Sequence, residues 1–329
     1  MKASWQTELR QIELPETPPP GEVLLRVEAC GICGTDLSAA VKAEKWQPFG
    51  HEIAGVIEKV GEGLGHLSPG QKVVLETSSF CGHCAMCRNG RVNLCNKAPQ
   101  FWGRPAMGFS EHMVAPGCCV VPYEGLSAEV ASLAEPAGVA YDMVKTANVA
   151  FGDRVALIGP GPIGLMAIPI LLRGGAREVV CLGRSRNKLR LEVAQKLGAK
   201  IRIVEGSPAG EKDLQRQFEH VLVTAPVGTI PSALGLLAYG GELTYIGIGT
   251  EAGPISFDAN EFHFRKLQLR ASFASPALYF PIVLDLLRAN VIPGDLIISH
   301  RFSLKDLAEA MHLNRDRKEE AVKVVMRNP

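Results

Sequence analysis

Two short motifs, at residues 31–36 and 50–52, together place one thiol, one imidazole, two carboxylates and a hydroxyl. Gly31-Ile32-Cys33-Gly34-Thr35-Asp36 opens the stretch and Gly50-His51-Glu52 closes it. Sulfur, nitrogen and oxygen donors of this kind build an open zinc site, and such a site also needs a group that can carry a proton away. The same residue types occur as ordinary core and surface, so the stretch depends on support from elsewhere. Cys81, Cys84, Cys87 and Cys95 form a second pattern, C-x2-C-x2-C-x7-C. Four thiolates complete a tetrahedron around zinc at roughly 2.3 Å, and short spacings let one loop supply them all. An iron–sulfur cluster accepts the same four sulfurs. A closed four-sulfur zinc site has no open position, so its task is to hold a loop. His83, inside that loop, is surplus to the set.

A third pattern concerns phosphate. Gly159-Pro160-Gly161-Pro162-Ile163-Gly164 is G-x-G-x-x-G, directly after the apolar run Val155 to Ile158 and opening a helix. Glycines there permit a tight turn and close approach of backbone to a pyrophosphate at the positive helix terminus. About 20 residues on, a carboxylate would ordinarily take the ribose hydroxyls of NAD. Here the second strand ends Val180-Cys181-Leu182-Gly183-Arg184-Ser185-Arg186, with Gly183 in the place of the acid. Loss of that charge and gain of arginines suits a 2′-phosphate, because guanidinium pairs with phosphate through two hydrogen bonds. NADP(H) is therefore expected in preference to NAD(H), with Gly183, Arg184 and Ser185 at the specificity end.

The elements that must position these groups follow from pattern and length. A chain of 329 residues is too long for one ordinary core and points to two domains. With 47% hydrophobic and 21% charged residues it has a globular composition. A net charge of +1 offers no basic field for nucleic acid. No apolar run approaches the roughly 18 residues of a membrane span, and the N-terminus, with Trp5, Glu8 and Glu13, is unlike a signal peptide. A cytoplasmic location is the default expectation, and in a reducing compartment nine cysteines read as ligands or buried thiols.

Strands are expected at Val23–Val27, Ile53–Ile57, Val73–Leu75 and Glu111–Val121, spaced as in a small all-β barrel. Residues 78–108 read as a loop. From about residue 128 the pattern changes: a helix over Ala128–Asn148, then strand Val155–Ile158, helix 162–173, strand 178–182, helix 186–197, strands near 201–204 and 220–224, and a strand from Glu242. Such alternation marks a parallel sheet covered by helices. After about residue 272 it loosens, with a helix over Leu278–Ala289 and a closing strand over Ala321–Met326.

The order of the three motifs resembles the zinc-dependent medium-chain alcohol and polyol dehydrogenase family over nearly the whole chain. The resemblance implies an α/β fold with an all-β part: a GroES-like β-barrel catalytic domain at residues 1–136 and 273–329, carrying the structural-zinc loop at 78–100, and a doubly wound Rossmann domain with a parallel sheet at 137–272. It implies two zinc ions per chain. Cys33 and His51 match catalytic zinc ligands, and Glu52 matches a carboxylate that ligates or stands close by. Glu135, in Leu133-Ala134-Glu135-Pro136, matches the fourth position of the sorbitol and threonine dehydrogenase branch, where ethanol-type enzymes have cysteine. Thr35 matches the hydroxyl that takes the substrate proton, and Asp36 the residue that orients His51. Lys323 falls where the family places a cation near the cofactor phosphates.

The resemblance further implies reversible oxidation of a secondary alcohol of polyol, sugar or cyclitol type to a ketone, and assembly as a homodimer or homotetramer. Two positions depart from the family pattern: Ser38 and Asp142 stand where histidine is common. The first removes a histidine from the proton path. The competing readings are a zinc-free quinone or enone reductase of the same superfamily, and a non-catalytic zinc protein that senses nucleotide. Phe101, Trp102 and Met107 either wall a pocket or pack a core. Cys30, three residues before Cys33, has no thioredoxin-like context for a C-x-x-C redox pair, and Cys118, Cys119 and Cys181, in or beside apolar strands, read as core thiols.

Overall fold

A computed structural model describes residues 5–247 and 253–328. The chain forms two units, Met1–Gly138 with Ala274–Pro329, and Val139–Phe273. Five strands come first: β1 (Glu22–Gly31), β2 (Glu52–Val60), β3 (Lys72–Leu75), β4 (His112–Pro116) and β5 (Val120–Pro122). Six follow in the second unit: β6 (Arg154–Ile158), β7 (Glu178–Gly183), β8 (Lys200–Ile203), β9 (Phe218–Val223), β10 (Leu237–Tyr245) and β11 (Gln268–Ala271). The chain then returns to the first sheet with β12 (Ile298–Ser303) and β13 (Lys323–Arg327).

The first sheet runs β12-β13-β1-β2-β3-β5, with β4 also on β1. Alternation along β1 sends Val23, Leu25 and Val27 into a core shared with Ile53, Ile57, Val73, Leu75, Met113 and Phe101. Burying each such side chain fully contributes roughly 1.5–3 kcal/mol. An irregularity in pairing between Val27 and Ala29 shifts the alternation, so that Cys30 also joins this core. The same shift sets Gly31 opposite Glu52 on one side and Val325 on the other. The end of the sheet where β1, β2 and β13 meet is thereby the place where Cys33, Glu52 and Lys323 converge.

The second unit holds a parallel sheet in the order β11-β10-β9-β6-β7-β8. Its central strands are apolar on both faces, Val155, Ala156 and Leu157 being fully buried, as helices on both sides require. Strand order reverses between β6 and β9, which opens a crevice at their carboxyl ends. Among the described residues no helix is long and apolar enough to cross a membrane.

Two expected elements are broken. The helical run from Ala128 is two helices, Ala128–Ala131 and Ala134–Ala147. Ser127 caps the first, its hydroxyl accepting the Val130 N–H at 3.3 Å. Pro136 lies in the first turn of the second, where a missing N–H costs nothing. The expected strand Glu111–Val121 is interrupted by a tight 3-10 turn at Gly117–Cys119. Helix 162–173 is found as Pro162–Arg173, with proline at its start and Gly174-Gly175 after its end.

Candidate active site

Cys33 ends the loop after β1 and begins the helix Gly34–Lys42 as its capping residue. Asp36, three residues on, completes a capping box, its Oδ2 accepting the Cys33 N–H at 2.8 Å. Its other oxygen accepts the Gly50 N–H at 3.2 Å and lies 3.4 Å from His51 Nδ1. One buried carboxylate thus fixes both the loop that carries Cys33 and the loop that carries His51. With Nδ1 turned to Asp36, the other ring nitrogen is left to face a metal. Ligand atoms of Cys33, His51 and Glu52 all lie within 4.8 Å of one another. Burial by itself would push the His51 pKa down, but Asp36 and the Cys33 sulfur outweigh it and hold the imidazole well above its ordinary value.

Glu52, the first residue of β2, is fully buried. Its carboxylate pairs with Lys323 of β13, which is 2% exposed and also donates to the Ile32 carbonyl at 3.0 Å. Gly31 makes the space: a Cβ there would stand 1.9 Å from Glu52 Oε2 and 3.0 Å from Lys323 Cε. This corrects the expectation for Lys323. Its ammonium is committed to Glu52 and a backbone carbonyl inside the first unit, so its described role is to hold a carboxylate and not a phosphate.

Glu135 sits in the first turn of Ala134–Ala147 and lies outside the three-residue cluster, within electrostatic reach of it. Burial pushes its carboxyl up to about 7, with Glu52 and Asp36 adding to the rise and His51 and Lys323 opposing it. Thr35 is exposed, with its Oγ1 3.7 Å from Cys33 Sγ and its N–H donating to that sulfur at 3.5 Å.

The donors fit zinc. A thiol, an imidazole and a carboxylate form a mixed set that suits a borderline-soft ion. Three carboxyl groups and a thiol, from Asp36, Glu52, Glu135 and Cys33, face two cationic side chains, Lys323 and His51, so a divalent cation would relieve an excess of acid. The four-cysteine loop fits as well. A tetrahedron with bonds of roughly 2.3 Å has sulfurs about 3.8 Å apart. Here the Sγ atoms of Cys84 and Cys87 are 3.5 Å apart, Cys84 and Cys95 3.9 Å, and Cys81 and Cys87 4.0 Å. No disulfide links them. The Cys84 thiol is pulled down to about 6, first by the Cys87 backbone N–H and then by neighbouring sulfurs. His83 turns to the Cys81 carbonyl at 2.8 Å and stays out of the set.

In the second unit the glycine-rich turn joins β6 to Pro162–Arg173, with Gly161 as capping residue. Gly159 has φ +108° and is packed on Thr224, whose hydroxyl donates to the Gly159 carbonyl at 2.7 Å. A Cβ on Gly164 would stand 2.4 Å from that carbonyl, whereas one on Gly161 would meet nothing within 4 Å. Gly159 and Gly164 shape the turn, and Gly161 leaves its mouth open beside Pro162 and Ile163. Thr224, at the end of β9, carried no motif signal.

Gly183 ends β7 against Pro160 and Leu191, with Leu191 Cδ2 2.8 Å and Pro160 Cγ 3.1 Å from where a Cβ would stand. Arg184, Ser185 and Arg186 follow, all exposed. The Ser185 N–H donates to Glu205 Oε1 at 2.9 Å. Hydrogen bonds from Ser185, with Arg184 and Arg186 nearby, hold the Glu205 carboxyl below its ordinary range. Glu205 was not singled out by the sequence, because nothing local marks an exposed acid on a loop.

Of the aromatic residues, Phe101 and Met107 are buried core. Trp102 is 41% exposed, with its ring centroid 5.0 Å from that of His51, and stands beside the cluster of Cys33, His51 and Glu52. Asp142, where the family pattern has histidine, accepts the Ser272 hydroxyl within the second unit.

Two family profiles match the chain: an alcohol dehydrogenase GroES-like domain over residues 19–125 and a zinc-binding dehydrogenase over residues 162–289. L-galactonate-5-dehydrogenase of Escherichia coli (strain K12) is 29% identical over 333 residues, covering 94% of each chain. Among solved structures, alcohol dehydrogenase TADH from Thermus sp. ATN1 has a TM-score of 0.88 at 29% identity, covering 99% of this chain and 98% of its own. A dehydrogenase (rspB) from E. coli CFT073, solved with NADH, also has a TM-score of 0.88, at 27% identity, covering 99% and 97%.

Proposed function

Since the chain belongs to the zinc-dependent medium-chain polyol dehydrogenase family, we propose that it reversibly oxidises a secondary alcohol of a polyol, sugar- or cyclitol-like substrate. The hydride passes to a nicotinamide nucleotide, with NADP(H) preferred over NAD(H). The observation that carries this reading is the cluster of half-buried Cys33 with buried His51 and Glu52 around Asp36. Relatives named for L-galactonate, L-arabinitol and D-xylulose support a polyhydroxylated substrate. A zinc-free reductase would have no use for this donor set.

Cys33, His51, Glu52 and Glu135 would hold the catalytic zinc, and Cys81, Cys84, Cys87 and Cys95 a second, structural one. Bound at the first site, zinc supplies a Lewis acid that makes an alcohol hydroxyl acidic near neutral pH. The protein does the rest. Asp36 fixes the orientation of His51 and of the loop before Thr35. Thr35 presents an exposed hydroxyl beside Cys33 and takes the substrate proton; Ser38, in place of histidine, offers no imidazole to carry it onward. Lys323 holds the Glu52 carboxyl group in place. Trp102 provides an apolar face over His51 that limits water. Gly161, Pro162, Ile163 and Gly164 would receive the pyrophosphate, and Arg184, Ser185 and Arg186 the 2′-phosphate.

The test is a panel of pentitols, hexitols, aldonates, cyclitols and primary alcohols, followed by the absorbance of reduced nicotinamide with NADP and with NAD. Turnover of secondary polyol carbons with a higher kcat/KM for NADP is expected. Primary alcohols as the best substrates would overturn the substrate reading, and a clear preference for NAD the cofactor reading.

A further inference from the structure

The specificity end of the second unit contains a carboxylate that the arginine pattern does not explain. Gly183 cannot be extended toward the ribose, because Pro160 and Leu191 close the space a Cβ would need. The acid comes from the neighbouring strand. Val204 donates to the Gly183 carbonyl at 2.9 Å, which draws the residues after β8 alongside those after β7. Glu205 then places Oε1 on the Ser185 N–H at 2.9 Å, next to Arg184 and Arg186. A backbone donor that already holds a carboxylate, with arginines on either side of it in the chain and within electrostatic reach of that carboxylate, can serve as an anion site. In the free protein its occupant is the chain's own carboxylate.

We propose that Glu205 sets the ratio of NADP(H) to NAD(H) use by occupying the subsite of the 2′-phosphate. This rests on the proposed role of Arg184, Ser185 and Arg186. A 2′-phosphate must turn Glu205 away or bind against its charge. A ribose without the phosphate meets no such conflict and can donate its 2′-hydroxyl to the same carboxylate, as it would to the acid ordinarily found at the position of Gly183. Glu205 therefore opposes the arginines, and the chain uses both cofactors with a narrower margin than its arginines alone would give. Repulsion between a carboxylate and a phosphate of charge near −2, a few ångströms apart in water, changes binding by about tenfold.

The test uses the whole chain and two readouts: kcat/KM for each cofactor, and binding of adenosine 2′,5′-bisphosphate against adenosine 5′-monophosphate by calorimetry, which needs no turnover. Glu205→Gln keeps an acceptor for Ser185 and removes the charge. It should tighten the 2′,5′-bisphosphate about tenfold, leave the monophosphate within about twofold, and raise the NADPH-to-NADH ratio of kcat/KM by a similar factor. Glu205→Asp, which keeps the charge, should stay near wild type. An unchanged or weakened affinity for the 2′,5′-bisphosphate in Glu205→Gln, with an unaltered melting temperature, would overturn the proposal. The underlying reading has its own control: Arg184→Ala with Arg186→Ala must weaken the 2′,5′-bisphosphate, and if it does not, that reading fails whatever Glu205 does.

Discussion

Replacing Lys323 with methionine tests how the buried end of the first sheet is held together. The lysine and glutamate side chains are 3% and 1% exposed. Methionine keeps most of the apolar volume and removes the charge. Glu52 is then left buried against Gly31 and the strand edge, with its partner gone. Deleting one member of a buried ion pair costs about 3–5 kcal/mol, most of it the burden of the stranded charge. Glu52→Gln, which leaves the ammonium its hydrogen bond to the Ile32 carbonyl and removes its paired carboxylate, should cost a similar amount. The double variant removes both charges and should lie within about 1 kcal/mol of wild type, so that the coupling is about 3 kcal/mol or more. Trp5, Trp46 and Trp102 all lie in the first unit. Urea unfolding followed by tryptophan fluorescence on metal-stripped protein therefore reports on that unit. A loss under about 1 kcal/mol in Lys323→Met, or a double variant no better than the worse single one, would refute the pairing as a structural element.

Three further outcomes are expected. Burial pushes the Glu76 carboxyl from 4.5 up to about 8, against a hydrogen bond from Ser79, so the folded chain keeps a proton that the unfolded chain releases. Wild-type stability should fall as pH rises from about 4.5 to 8; Glu76→Gln removes that slope and should gain up to about 5 kcal/mol (3.5 pH units at 1.36 each) by pH 8. Parallel melting temperatures of the two proteins at pH 5 and 8.5 would contradict this. Cys84→Ser should lose one zinc per chain and become sensitive to proteolysis between residues 81 and 95 while Cys33 keeps its metal; unchanged zinc content would exclude the four-sulfur site. Trp102→Ala should raise KM for the polyol by about tenfold with zinc content unchanged, as expected for loss of an aromatic contact of about 1.4 kcal/mol; an unchanged KM would place Trp102 outside the substrate site.

The candidate metal-ligand clusters were legible because ligand chemistry is written in residue type and short spacing. Cys33, His51 and Glu52 converge as those types suggest, and Cys81 to Cys95 form a loop whose ligands need no distant partner. Pro162 and Gly174 mark the ends of their helix just as locally. Lys323 was misread because its partner lies 271 positions away and the meeting depends on β13 pairing with β1. The break between Ala128–Ala131 and Ala134–Ala147 was hidden because apolar periodicity continues across it. Trp102 and Phe101 are adjacent in sequence and opposite in fate, one over His51 and the other in the core. Glu205 gains meaning only when β8 lies beside β7 and brings it to Ser185.

The central claim is that zinc held at Cys33, His51 and Glu52 is required for turnover. It is tested most directly by stripping the protein with a chelator, returning zinc in steps, and measuring bound metal and polyol oxidation on the same samples, for wild type and for Cys33→Ser. Stripped wild type should be inactive and recover in proportion to zinc bound at the second equivalent. Cys33→Ser should keep its fold and one zinc yet stay inactive. Wild-type turnover in the stripped protein, or in Cys33→Ser, would contradict the claim.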